Sequence, residues 1–261
     1  MLDDKSLLEL CLRISGAFEN GSGSSYTAVS GNFDGMGISC GCLQWNAGQG
    51  TLQTLVKNIA AATGWDKAKT FFSSDIQQFA SLQPAAAIAW VQQHYLTTGS
   101  TNLDPGAKAR WVSFLNQPES VDAQVQMATN GVLGHAKREV ATYCSDYIDR
   151  NRPYAFFFDL VTQEGGMTVG KQTVPPVPVG TLPDISDALN FASTHDAICT
   201  MTWKTNSSSD QLAQLLLHYA YARSMFANPQ FQWDTLSRRG TIACRGGVVH
   251  EATLDFTSIL D

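Results

Sequence analysis

Two carboxylates, Glu19 and Asp34, stand at either end of a stretch rich in glycine and serine. Such a pair is suited to hydrolysing a glycosidic bond: one carboxylic acid protonates the leaving oxygen, and a carboxylate across the sugar activates water or attacks the anomeric carbon. The two groups must stand apart. A helix ending near Glu19 and a hairpin presenting Asp34, joined by the turn-rich residues 20–33, would place them on opposite walls of a cleft.

The element that must position Glu19 is a helix predicted over residues 6–18. Apolar side chains recur there at helical spacing, at Leu7, Leu10, Cys11, Ile14 and Phe18. Ser6 and Glu9 have the spacing of a capping box, so we expect this helix to begin at Ser6.

The element that must position Asp34 is a short irregular hairpin predicted within residues 31–45. Glycines at positions 31, 35, 37 and 41 are poor helix formers but suit tight turns, and they allow a bulky polymer to approach the backbone. We predict no other β structure in the chain.

The rest of the chain is predicted to be mainly helical, so the fold class is mainly α. Helical periodicity extends over residues 51–62, 66–81, 84–97, 105–116, 119–149, 153–163, 186–202 and 210–227. The proline-rich residues 173–184 are interpreted as a stiff joint between two lobes of a single domain spanning 1–261, with two separate domains as the alternative. Residues 237–250 are interpreted as a surface turn with salt bridges; alternatively, one of their arginines pairs with a carboxylate or an anionic substrate group.

Charge and hydropathy exclude several classes of protein. The chain has 23 acidic and 17 basic residues and a net charge of −6, with no basic run, so we expect no nucleic-acid partner. It has no apolar stretch long enough for a membrane span. Its N-terminus lacks a Sec-type signal, so we expect export without a visible signal peptide, with action in the periplasm or on the cell wall.

Metal and cofactor motifs are missing from the sequence. The pair Cys40 and Cys42 has no second cysteine pair or spaced histidines to complete a metal site. We find no nucleophile elbow, phosphate-binding loop or dinucleotide fingerprint. We therefore predict no metal and no cofactor.

A helix-borne glutamate, then the hairpin sequence DGMGIS at 34–39, then a long helical remainder resembles the lysozyme superfamily, particularly the family 46 chitosanases and phage-type lysozymes. The resemblance implies a lysozyme-like α+β fold with a short β-hairpin and a large helical lobe. It also implies that Glu19 is the general acid, that Asp34 is the general base, and that Ser39 positions the attacking water. Inversion at the anomeric carbon is expected.

The sequence GCLQWN at 41–46 is similar to a cleft motif of bacterial and phage cell-wall enzymes. This resemblance implies peptidoglycan, or a related amino-sugar polymer, as the substrate of a muramidase-type enzyme. Tyr26, Gln44, Trp45 and Asn46 are the candidate substrate-binding residues, with packing or simple surface exposure as the alternative for Trp45 and Tyr26. Such an enzyme would be a phage endolysin or an exported antibacterial effector, and an effector would need a cognate immunity protein to protect its producer.

Three other functions stay open. One is a chitosanase, and another is a lysozyme fold that binds glycan without cleaving it. The third is a cysteine-dependent amidase or peptidase using Cys40 or Cys42 with His135 or His250, which is disfavoured because neither thiol follows a clear helix start.

Overall fold

The computed structural model describes residues 2–20 and 25–260, with Glu19 and Asn20 described by their backbone alone. The α-helices, in chain order, are α1 (Asp4–Asn20), α2 (Thr51–Thr63), α3 (Trp65–Phe72), α4 (Asp75–Ser81), α5 (Pro84–His94), α6 (Pro105–Leu115), α7 (Pro118–Ala128), α8 (Gly134–Tyr143), α9 (Arg152–Glu164), α10 (Ser186–Ser193), α11 (Ala197–Ser207), α12 (Gln211–Ser224) and α13 (Gln232–Ala243). In the described part of the chain, no helix is long and apolar enough to cross a membrane.

The strands are short and all antiparallel. They are β1 (Val29–Ser30), β2 (Ser39–Cys40), β3 (Trp45–Asn46), β4 (Thr168–Val169), β5 (Gln172–Thr173), β6 (Gly246–Val249) and β7 (Ala252–Asp255). The order β1-β2-β3 forms one small sheet, and β4-β5 and β6-β7 form two separate hairpins. The mainly α class is thus confirmed. The expectation of a single β region is wrong, because two further hairpins follow it.

Several predicted helices are divided. The predicted helix 66–81 breaks at Ser73, whose positive φ of 59° ends α3. The predicted helix 119–149 is interrupted by a π-helical turn, Thr129–Leu133, and its last part ends at Tyr143. The predicted helix 186–202 is two helices, and the Asp196 carboxylate caps the second by accepting a hydrogen bond from the Cys199 amide.

The chain divides into two compact units. The first unit consists of Met1–Gly23 and Thr129–Asp261, and the second of Ser24–Ala128. The proline-rich residues 173–184 lie within the first unit, so the chain passes between the units at other places.

An aromatic cluster forms the core of the second unit. Phe72, Phe79, Tyr95, Trp111 and Phe114 are almost fully buried and meet mostly edge to face, with centroid separations of 4.6–6.3 Å. Such contacts add to the free energy of apolar burial.

The first unit is built around α9, α12 and α13. Phe156, Phe157 and Phe158 on α9 are all fully buried. Gly240 of α13 lies directly against the buried Trp203 ring: a Cβ at this position would be 2.4 Å from a ring carbon. Only glycine permits this close packing of α13 on α11.

Candidate active site

Asp34 lies in the loop between β1 and β2, and its carboxylate is exposed. Its Oδ1 accepts a hydrogen bond from the Met36 amide at 3.0 Å. Gly35 follows with φ of 80°, a left-handed conformation that favours glycine, and no other part of the protein crowds it. Asp34 is therefore held in a defined turn and faces water.

The base of this loop is fixed by a buried asparagine. Asn32 is 8% exposed, and its side-chain Oδ1 accepts a hydrogen bond from the Gly37 backbone amide at 2.8 Å. The backbone amide of Asn32 donates to the Thr101 carbonyl at 2.8 Å. Gly31 is required beside it, because a Cβ there would lie 2.3 Å from the Thr101 oxygen.

Gln124 of α7 joins the segments before and after the strand pair β1–β2 through its side-chain amide. Its Oε1 accepts from the Cys42 amide at 3.0 Å, and its Nε2 donates to the Tyr26 carbonyl at 3.1 Å. The side chain is fully buried, and a Cβ on Gly41 would lie 2.3 Å from that Oε1. Sequence reasoning missed Gln124, since a buried polar residue on a helix face gives no local signal.

Ser39 lies in the central strand β2, paired with Ser30 on one side and with Asn46 on the other. Its side chain is 6% exposed. The structure thus brings Ser39 and Asn46 together in one small sheet, close in the chain to the loop of Asp34.

The other predicted binding residues have roles within the sheet. The Gln44 amide joins two segments, accepting from the Ser30 hydroxyl at 2.8 Å and donating to the Gly41 carbonyl at 2.9 Å. Asn46 is buried, and its Oδ1 accepts from the Gln49 amide at 2.8 Å. Gln44 is exposed and, with a second lone pair and a second N–H, retains hydrogen-bonding capacity for a ligand.

Trp45 and Tyr26 offer less surface to a ligand. The Trp45 ring packs on Gly41 and is 8% exposed, which matches the packing alternative for this residue. Tyr26 is half-buried, and its backbone carbonyl is held by Gln124.

Glu19 belongs to the last turn of α1, and its side chain lies outside the described residues. The helix begins two residues earlier than predicted, and the Ser6–Glu9 capping box is wrong. The cap is Asp3, whose Oδ1 accepts from the Ser6 amide at 2.8 Å. The apolar stripe is as expected, with Leu7, Cys11 and Ile14 buried.

Phe18, the residue before Glu19, anchors the end of α1. Its ring meets Phe256 edge to face at 5.8 Å, and the Arg238 guanidinium lies 4.7 Å from its centroid. The side chain is 5% exposed. Phe18 is thus fixed within the first unit.

Arg238 is part of a buried ion network. Its Nη2 donates to Asp159 Oδ1 at 2.8 Å, and Arg239 Nη2 lies 3.5 Å from Asp159 Oδ2. Glu164 joins the same network, with Arg239 at 2.7 Å and Arg223 at 2.8 Å. The network ties α13 and α12 to α9, and through Arg238 it reaches the end of α1.

The burial of these arginines shows that the predicted surface turn over residues 237–250 is wrong. Residues 237–250 were expected to form a surface turn, but Arg238 and Arg239 are buried in α13, and β6 follows. The alternative, that an arginine of this segment pairs with a carboxylate, is confirmed. The sequence alone did not identify the carboxylate that pairs with Arg238, because Asp159 is far away in the chain.

A pocket of about 360 Å³ opens beside this network. Glu164, Asp234 and the three arginines contribute to its wall, as does Phe231. Charged hydrogen-bonding groups suit polar ligand groups such as hydroxyls.

The cysteines do not favour thiol chemistry. All six lie among the described residues, and all are free and buried. Burial raises the pKa of the Cys42 thiol to about 12 and holds that of Cys40 well above its ordinary value. Since the thiolate is the nucleophile, a cysteine-dependent mechanism is disfavoured at neutral pH.

Comparison with known proteins defines the fold class. No family model matches the chain, and no curated protein matches its sequence. Among solved structures, the native chitosanase from Bacillus subtilis MY002 matches with a TM-score of 0.50 and 18% identity, over 93% of this chain and 88% of that chain.

Two further solved structures are similar. A mutant chitosanase from Bacillus subtilis MY002 complexed with 6 GlcN matches with a TM-score of 0.49 and 16% identity, over 98% of this chain and 97% of that chain. A GH46 chitosanase from Gynuella sunshinyii, in complex with chitotetraose, has a TM-score of 0.47 and 14% identity, over 93% and 88%. The match to the native Bacillus subtilis chitosanase shows that the chain shares the mainly α fold of that protein, which agrees with the fold that the sequence resemblance implied.

Proposed function

We propose that the protein is an inverting glycoside hydrolase that cleaves the β-1,4 backbone of peptidoglycan. Glu19 is the general acid, Asp34 is the general base, and Ser39 helps to position the attacking water. The reaction needs both carboxylates at one glycosidic bond, with room for water beside the base.

The observation that carries this proposal is the exposure of the Asp34 side chain together with its fixed turn. In a chain with the lysozyme-like fold, its carboxylate is exposed and is held in a fixed turn by the Met36 amide. A general base needs this combination, because it must reach a water molecule and must keep its orientation. An ordinary turn aspartate would show the same hydrogen bond, so activity measurements must separate the two.

The setting of Glu19 supports the proposal independently. A carboxylate in the last turn of a helix is disfavoured by the helix dipole, so its presence there calls for another reason. The preceding residue, Phe18, is held by Phe256 and Arg238. A rigid helix end is what a general acid requires.

The lack of other charged residues in the sequence around Asp34 favours an N-acetylated glycan. Between residues 25 and 50, Asp34 is the only charged side chain in the sequence. A polycation such as chitosan would be attracted by clustered carboxylates, whereas N-acetylated sugars are uncharged and need hydrogen bonds and apolar contact. We therefore place peptidoglycan first.

Chitosan is the second candidate. The structural neighbours are chitosanases by name, and two of them were solved with GlcN oligomers or chitotetraose. The net charge of −6 of the whole chain is compatible with a polycationic substrate.

The test compares wild type, Glu19→Gln and Asp34→Asn on purified peptidoglycan and on chitosan, with products identified by mass spectrometry. New reducing MurNAc ends from wild type are expected, and each variant should be slower by about a hundredfold to ten-thousandfold. Glu9→Gln, an exposed position on the same helix, and Asp122→Asn, an exposed position on α7, are the matched controls and should retain activity.

Each other outcome has a definite meaning. Chito-oligomers alone would make the enzyme a chitosanase. Cleavage that survives Glu19→Gln would refute the assigned acid. Binding without cleavage would identify a glycan-binding protein, and cleavage of peptide bonds would overturn the carboxylate mechanism altogether.

The stereochemistry tests the inverting mechanism separately. Proton NMR of the first products should show the α-anomer accumulating before mutarotation, because water attacks the face opposite the leaving group. A β-anomer as first product would require a covalent intermediate and a different role for Asp34.

Action on the cell wall as an exported effector, with an immunity protein as partner, is a further part of the proposal. Directing the protein to the periplasm of a Gram-negative host should lyse the cells, and Glu19→Gln should abolish lysis. Lysis equal to wild type in that variant would show that toxicity does not come from glycan hydrolysis.

A further inference from the structure

Phe33, the residue before Asp34, is an exposed aromatic ring. It is 76% exposed, the largest value among the large apolar side chains that the structure describes. A ring in this position buries little surface and contributes little to the stability of the fold.

The backbone on both sides of Phe33 is fixed. Asn32 accepts from Gly37 and donates to Thr101, and Asp34 accepts from Met36. Phe33 therefore sits between two anchored residues. Because the backbone there is already ordered, binding a ligand at this point costs less entropy than binding at a mobile loop.

Single exposed apolar residues are common on protein surfaces, so exposure alone is no evidence of a site. What distinguishes Phe33 is its place. Consecutive Cα atoms are about 3.8 Å apart, so the ring starts from the backbone position next to the proposed general base. The surrounding loop carries no other charge.

We propose that Phe33 is a sugar-stacking residue that binds a pyranose ring of the glycan next to the cleaved bond. This inference rests on the proposed function. One face of a β-linked pyranose presents C–H groups, whose partial positive charge suits the electron-rich face of an aromatic ring. The contact removes apolar surface of both partners from water.

The experiment measures binding in a background in which cleavage is strongly slowed. Asp34→Asn serves as the parent, and the probe is a set of soluble peptidoglycan glycan strands freed of their peptides. Adding Phe33→Ala should raise the dissociation constant about tenfold above that of the parent. Phe33→Trp should keep it within about threefold of the parent's value. Met201→Ala, which removes another exposed apolar side chain on α11, is the control and should change nothing.

Steady-state kinetics of the active enzyme give a second readout. Phe33→Ala should raise KM more than it lowers kcat, because the contact exists in the bound ground state as well as in the transition state. Its melting temperature should equal that of wild type, since the ring is exposed. This excludes misfolding as the cause of weak binding.

The outcomes separate this inference from the proposed hydrolysis. Equal binding by Phe33→Ala and its parent, or loss of binding in Phe33→Trp as well, would overturn the stacking role. Absence of binding in every variant would also overturn it. If wild type cleaves neither glycan but binding still depends on Phe33, the stacking role stands and the hydrolase is refuted. If the same variants are titrated with chitosan and the tenfold loss appears only there, Phe33 contacts a protonated amine, which would overturn stacking on the C–H face of the sugar.

Discussion

Replacing Asp159 with alanine should severely destabilise the first unit. Asp159 is fully buried and faces Arg238 at 2.8 Å and Arg239 at 3.5 Å. In the described network Glu164 contacts Arg223 and Arg239, so the substitution removes the Asp159 carboxylate from two buried guanidinium groups, those of Arg238 and Arg239, and leaves Glu164 in place.

The magnitude follows from the cost of removing one partner from a buried ion pair. Removing one partner of a buried ion pair costs about 3–5 kcal/mol, a large part of the ~5–15 kcal/mol that stabilises a typical domain. For a chain of this size, that corresponds to a fall of about 10 °C in melting temperature. The free energy of unfolding is measured by denaturant titration monitored by circular dichroism.

The control is the exposed pair Lys137–Asp4, with side chains 36% and 59% exposed and a separation of 2.6 Å. Asp4→Asn should cost at most about 1 kcal/mol, because water screens the pair. If Asp159→Ala is no more costly than Asp4→Asn, the network does not hold α13 to α9, and the role assigned to it in fixing the end of α1 is wrong.

Three further predictions test the packing and the ionisation states. Gly240→Ala should destabilise the protein by about 1–3 kcal/mol, because its Cβ would collide with Trp203, whereas Gly131→Ala, where nothing lies within 4 Å, should be neutral or stabilising in the same thermal melts. Burial raises the pKa of Asp210, but hydrogen bonds from Arg152 and the Ala213 amide, together with the charges of Arg152 and Arg245, lower it below its ordinary value. This carboxylate should therefore stabilise the fold above about pH 4, and the contribution should disappear as the pH falls through the lowered pKa. Acid titrations of wild type and Asp210→Asn should converge at low pH, and parallel curves would refute the assignment. A thiol reagent at pH 7 should label native protein very slowly and all six cysteines after denaturation, because all six are buried; rapid labelling of Cys40 or Cys42 would reopen the cysteine mechanism.

Local periodicity was sufficient to predict the elements that carry the two carboxylates. The apolar stripe from Leu7 to Phe18 predicts α1, and the glycines around Asp34 predict the irregular hairpin. Both signals lie in short stretches of sequence. Hydrophobic burial and the conformational freedom of glycine act at that range.

Helix α13 could not be predicted in this way. Its sequence carries Ser237, Arg238 and Arg239 where an amphipathic helix would place apolar residues, and all three are buried. Their burial is compensated by Asp159 and Glu164 on α9, and no local pattern can identify partners so distant in the chain.

The β6–β7 hairpin was missed for a different reason. Its turn consists of His250 and Glu251, both with positive φ, where a two-residue hairpin turn normally carries asparagine or glycine. The turn therefore gave no signal. The glycines of β6, Gly246 and Gly247, further weakened the strand pattern, although a Cβ on Gly247 would lie 2.3 Å from the Thr241 hydroxyl oxygen.

The two proposed catalytic groups share a principle of construction. Each lies at the end or turn of a local element, and each of those elements is fixed by a buried polar side chain: Gln124 behind the hairpin of Asp34, and Arg238 against Phe18 at the end of α1. A buried polar group tolerates few alternative geometries, because moving it leaves a hydrogen bond or a charge unpaired. Apolar packing alone would allow more freedom. The polar anchors, which local sequence patterns could not reveal, are thus the features best suited to fix the two elements that carry Glu19 and Asp34.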